Sequence, residues 1–264
     1  MRAVAGVFAS RGDAERAAQK LASLGLSKNR ITLLFPGQTK KEPQAIPISE
    51  AEQPGVGKAL GGVVGAALGL AGGFELGAVV SAAVPGVGPV LAIGLAGAAL
   101  LGLAGATIGA VGGGALDNAL TEGLPEDELF VYEDALRRGW SVLIALTDDE
   151  AHAASVRRLI EGECAETVDA AREQWWIGVR HPEEEHYSKL GRDFKEDEKF
   201  YRLGFEAALH ARTRCKEYDQ TLAEMSSDLE ELQQRYPDSD LEEPFRRGYE
   251  RGRAYYQSLC EAKP

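Results

Sequence analysis

Val84-Pro85-Gly86-Val87-Gly88-Pro89-Val90-Leu91 lies at the centre of a block, Gly55 to Ala115, made almost wholly of Gly, Ala, Val, Leu and Ile. Between Lys58 and Asp117 the one ionisable residue is Glu75. Pro85, Gly86, Gly88 and Pro89 predict a turn. They divide the block into two arms, Ala59–Val84 and Val90–Ala115. Each arm has roughly 26 residues and would span roughly 39 Å as a helix, against the roughly 20 residues that a bilayer core needs. Residues 56–118 therefore predict a transmembrane helical hairpin.

Glycine spacing supports helix in both arms. Gly61, Gly65, Gly69, Gly73 and Gly77 are four apart, and so are Gly105, Gly109 and Gly113. Residues four apart share a helix face, and a bare face admits a second backbone. A glycine zipper that drives self-association follows as an expectation. Glu75, midway along the first arm, is a candidate intramembrane functional residue; a place in a helix seam or near the interface would explain it equally well.

The flanks have different periods. Residues 3–9 and Ile31–Phe35 read as strands, the second ended by Pro36-Gly37. Ala14, Ala17, Ala18 and Leu21 mark a helix between them that stops at Gly25. Past the hairpin, Gly123-Leu124-Pro125-Glu126-Asp127-Glu128 opens a helix that ends at Arg137-Arg138-Gly139. Ser141–Leu146 alternates as a strand, Thr147–Glu150 reads as a capping box, and Ala165–Ala170 reads as a last strand.

Without the insert the order is βαββαβ. The fold class is therefore α+β: a ferredoxin-like domain interrupted by a Gly/Ala-rich transmembrane hairpin and followed by an α-helical C-terminal region. Its halves are residues 1–36 and 119–174, with a linker at 37–55, the hairpin at 56–118 and the helical region at 175–264. The halves can meet only on one side of a membrane. Three scattered cysteines fit a reducing compartment. Lys58 and Arg137-Arg138 flank the arms as positive-inside residues. The expected location is the inner (cytoplasmic) membrane, with the folded parts facing the cytoplasm. Met1 to Val7 lacks the apolar stretch of a signal peptide. A net charge of -12 argues against nucleic acid as a partner.

The Pro-Gly-x-Gly-Pro turn, the Leu-Pro-Glu-Asp-Glu helix start, Tyr132-Glu133 and Arg137-Arg138-Gly139 together resemble bacterial general-stress (heat-induced stress protein) domains over residues 1–174. The resemblance implies a stress-associated protein, membrane-linked where the hairpin is present, and no established reaction.

The C-terminal region carries a repeat. Tyr201-Arg202-Leu203-Gly204-Phe205-Glu206 and Phe245-Arg246-Arg247-Gly248-Tyr249-Glu250 share aromatic, Arg, x, Gly, aromatic, Glu. The glycines predict a close helix crossing. Leu222, Met225, Leu229, Leu232 and Tyr236 form an amphipathic stripe between them. Helices are predicted near 194–217, 219–236 and 242–260. Glu183-x-x-His186 has di-iron spacing, and Glu206 and His210 share a face, but such a centre needs ligands from four helices. No catalytic residue, metal or cofactor is expected.

The expected partners are membrane lipid, further copies of the chain, and a protein held by the helical C-terminal region. The leading expectation is a non-enzymatic, self-associating membrane protein of the stress response. The alternatives are an oligomeric pore, or a soluble oligomeric sensor or binding module with the hairpin buried in the assembly.

Overall fold

Alternation and helical spacing resolve into an α+β architecture. The computed structural model describes residues 2–37, 79–94, 126–237 and 239–262. Among these are six strands in one antiparallel sheet and seven α-helices. The strands are β1 (Arg2–Phe8), β2 (Ile31–Pro36), β3 (Val79–Val84), β4 (Gly88–Ile93), β5 (Ser141–Thr147) and β6 (Glu166–Thr167). Their order is β3-β4-β2-β5-β1-β6. The helices are α1 (Arg11–Ser23), α2 (Leu129–Arg137), α3 (Glu150–Gly162), α4 (Val168–Ser188), α5 (Phe194–Ala207), α6 (Tyr218–Arg235) and α7 (Glu242–Glu261).

The described residues form two compact units. One gathers the strands, α1, residues 132–137 of α2, and α3. The other holds residues 126–131 and, from Asp169 on, helices α4 to α7.

In the first unit, Ala14, Ala17, Ala18 and Leu21 of α1 and Ala153, Val156 and Ile160 of α3 share one core with Val4, Phe8, Ile31, Leu33, Phe35, Leu143 and Ala145. The i, i+3, i+4, i+7 spacing of α1 presents those four side chains as one stripe. All seven residues of β5 are buried, so the sheet is covered on both faces there. The opening of α3 differs from the predicted capping box. Asp149 is the N-cap, accepting from the His152 N–H at 2.8 Å, while Thr147 closes β5. The last strand is shorter than expected, because α4 begins at Val168.

The glycine-rich block is the main correction. Pro85–Val87 does turn the chain, with the Val87 N–H on the Val84 carbonyl at 3.0 Å and Gly86 and Gly88 at φ 68° and 90°. However, it joins strands, not helices. Val84 pairs with Gly88, Ser81 with Leu91, and Phe35 of β2 with Leu91 on the far side of β4. No helix among the described residues is long and apolar enough to cross a membrane.

The transmembrane hairpin, the glycine-zipper reading and the inner-membrane location are overturned with it. Physically, valines at 79, 80, 84 and 90 suit a pleated strand, and glycine is a poor helix former wherever lipid does not force the helix. Gly61, Gly65, Gly69, Gly73, Gly77, Gly105, Gly109, Gly113 and Glu75 lie outside the described residues. At the end of β4, Gly94 has φ 111°, and a Cβ there would lie 2.3 Å from the Ile31 carbonyl oxygen. A glycine is needed at that point for β4 to close on β2.

Candidate functional site

The helical unit is organised by the predicted repeat. Its two copies lie on α5 and α7 and pack through their glycines. A Cβ on Gly204 would lie 1.9 Å from the Phe245 carbonyl oxygen, and a Cβ on Gly248 would lie 1.9 Å from that of Tyr201. The relation is reciprocal, each glycine meeting the carbonyl three residues before the other. One turn further, Gly252 sits against Phe205 and Ala208. The two helices therefore run in the same direction with their backbones touching, a geometry that Cα–H···O contacts favour.

A buried polar cluster lies beside this crossing. Glu183 of α4 accepts from the Tyr201 hydroxyl at 2.7 Å and from Arg251 at 2.9 and 2.8 Å. Burial pushes the Glu183 carboxyl up, but the hydrogen bonds from Arg251 and Tyr201 outweigh it, so its pKa is lowered overall. Burial first, and Glu183 second, push the Tyr201 phenol up. Glu183 of the Glu183-x-x-His186 spacing is thus taken up in an ion pair with Arg251. No group of three or more metal-ligating side chains occurs among the described residues. Helix α4 itself was not foreseen, because Pro182 inside it removes a backbone donor.

Between α5, α6 and α7 lies a cavity of 390 Å³. Its apolar wall is Leu203 and Ala207 of α5, Met225, Leu229 and Leu232 of α6, and Phe245 of α7. Its polar rim is His210, Arg212, Thr213, Glu224 and Asp228.

Helix α6 spans this cavity like a beam fixed at both ends. At its start, the Tyr218 ring packs 5.5 Å from Tyr249 and 6.4 Å from Phe245. At its end, Tyr236 packs 5.5 Å from Phe200 and hydrogen-bonds Lys199. Beyond Met225 no described residue of α6 is buried. The predicted stripe therefore divides. Met225 is buried, Leu229 and Leu232 face the cavity half-buried, and Leu222 is exposed.

The connection from α5 to α6 supplies His210, Arg212 and Thr213 to the rim and is held from several sides. The Thr213 hydroxyl donates to the Ala207 carbonyl, and the Arg214 guanidinium donates to the Leu209 carbonyl at 2.9 Å. Arg214 lies 4.4 Å over the Tyr256 ring. The Tyr249 hydroxyl donates to the Thr213 carbonyl at 3.0 Å. His210 stacks on Phe130 with ring centres 6.4 Å apart, its Nδ1 3.5 Å from Asp127. Burial lowers the imidazole pKa, Asp127 opposes that, and Arg172, Arg212 and Arg214 add to the lowering. The balance lowers the imidazole pKa and favours the uncharged ring.

Two other hollows are chemically different. A broader groove of 630 Å³ is lined by Asp169, Arg172, Glu173, Glu198, Arg202 and Glu206, among others. Most of its charges already pair, Arg202 with Glu173 at 2.7 Å and with Glu206 at 2.6 Å, and Glu198 with Arg180 at 2.7 Å. In the strand-bearing unit, a hollow of 370 Å³ lies between Leu21, Leu26 and Val156, where Arg30 pairs with Asp148 at 2.5 Å. The α5–α6–α7 cavity alone of the three combines a broad apolar wall, a polar rim and a half-buried histidine, the features of a ligand pocket.

None of the predicted site residues among the described residues lines this cavity. Pro85, Gly86, Gly88 and Pro89 belong to the strand-bearing unit. The sequence signal for the cavity was the Met225, Leu229, Leu232 stripe, which reads equally as core.

No family model matches the chain, and neither a curated protein nor a solved structure does.

Proposed function

We propose that the chain is a ligand-binding protein whose helical unit takes a small, largely apolar molecule between α5, α6 and α7. The observation that carries this reading is the 390 Å³ cavity under a helix fixed at both ends, its wall formed by Leu203, Ala207, Met225, Leu229, Leu232 and Phe245. A preformed apolar cavity with a few placed polar groups is the usual form of a small-molecule site. The reading keeps the binding-module alternative from the sequence but places the site in the helical unit, where the sequence suggested protein contacts. Thr213, the hydroxyl residue on the rim, already donates its proton to the Ala207 carbonyl, which suits a rigid wall better than a nucleophile.

We also read the strand-bearing unit as ferredoxin-like. The order β6-β1-β5-β2, with α1 and α3 packed on one face, supports this, and β3–β4 is then a hairpin added beyond β2. The general-stress resemblance rests on its sequence motifs, and a stress-associated role for the binding protein is the proposal that follows from it.

The uncharged dye N-phenyl-1-naphthylamine tests the cavity. Its fluorescence should rise saturably with the full chain. Leu229→Trp, which fills the cavity from a half-buried position, should weaken binding about tenfold or more while leaving the far-UV circular dichroism unchanged. Equal binding by the variant would refute the site.

A further inference from the structure

The rim of the cavity carries unequal charge, and from it we infer that the ligand has an apolar body with a single cationic head, an alkyl or aryl ammonium, seated against Asp228. The inference rests on the cavity reading above. Of the charged groups on the rim, Arg212 lies 3.8 Å from Asp127, and Glu224 pairs with Lys216 at 2.8 Å. Asp228 has no cation within ion-pair distance among the described residues. Its contact is the Ser227 hydroxyl at 3.5 Å.

Asp228 stands one turn beyond Glu224 on α6, with Met225, Leu229 and Leu232 of the same helix lining the apolar wall. An apolar group in the cavity therefore brings its head to this carboxylate. His210, on the α5–α6 connection, has a lowered pKa, which favours the uncharged ring. An anionic head would meet the like charge of Asp228, which is exposed on α6. The net charge of -12 adds a long-range preference of the same sign.

Octylammonium, octanol and octanoate share one apolar body and differ in head charge. Each is titrated by calorimetry into the full chain and into Asp228→Asn, and by displacement of N-phenyl-1-naphthylamine. Octylammonium should bind about tenfold tighter than octanoate, with octanol between them. Asp228→Asn should bring octylammonium to the octanol level with the far-UV circular dichroism unchanged, which shows that the helix is intact. Octanoate binding as tightly as octylammonium, or a preference that survives in Asp228→Asn, overturns the cationic head and leaves the cavity reading standing. Failure of all three to bind overturns the cavity reading as well.

Discussion

Gly204→Ala is expected to destabilise the helical unit by about 3 kcal/mol, although alanine is the better helix former by about 1 kcal/mol. The added Cβ would lie 1.9 Å from the Phe245 carbonyl oxygen and 2.7 Å from its carbon. Those are backbone atoms inside a helix, so no side-chain rotation relieves the clash and the helices must separate. Gly248→Ala should behave alike, because its Cβ meets the Tyr201 carbonyl at the same 1.9 Å.

Gly178→Ala in α4 supplies the contrast, since nothing lies within 4 Å of its Cβ. It should be neutral or stabilising by about 0.5–1 kcal/mol. Urea unfolding followed by tryptophan emission reads all three variants, because Trp175 and Trp176 both pack 5.9 Å from Phe205 in the last turn of α5. Similar midpoints for Gly204→Ala and Gly178→Ala would contradict the crossing.

Glu183→Gln is expected to cost about 3 kcal/mol. The carboxylate side chain is 5% exposed and answers two Arg251 donors and the Tyr201 hydroxyl. An amide oxygen cannot satisfy all three, and Arg251 loses its counter-charge. The pH dependence follows from the same geometry. The folded carboxyl has a lowered pKa, below the unfolded value of about 4.3. Its contribution is therefore complete above the unfolded value and disappears as pH falls through the folded one. Urea midpoints measured from neutral to strongly acid pH should fall less steeply for Glu183→Gln than for the natural chain. Parallel curves would show that Glu183 is not ionised in the folded protein.

Much of the fold was legible where one period dominated. The Ala14, Ala17, Ala18, Leu21 stripe gave α1, the alternation at Val142, Ile144 and Leu146 gave β5, and the duplicated glycine motif gave the α5–α7 crossing. Residues 79–93 misled because the glycine spacing on either side of them, at 61–77 and 105–113, set the reading of the whole block. A four-residue glycine spacing is evidence for a packed helix face only once a helix is assumed. The valines of that stretch favour strand, but an apolar membrane helix accepts the same residues. Helix α4 was hidden by Gly178 and Pro182, both disfavoured inside helices. The cavity was illegible for another reason. Its wall joins residues from Leu203 to Phe245 across three helices and a connection, and Met225, Leu229 and Leu232 have the same spacing whether they close a core or line a hollow.

Hydrogen–deuterium exchange of the full chain, with and without saturating N-phenyl-1-naphthylamine, tests the binding site most directly. Backbone amides over residues 203–213 and 225–232 should exchange more slowly with dye bound, because the ligand fills the space beneath the unburied half of α6 and ties that helix to α5. Amides of β1, β2 and β5 should be unaffected. Protection confined to the strand-bearing unit, or dye binding that leaves α6 as open as before, would contradict the assignment of the cavity as the ligand site.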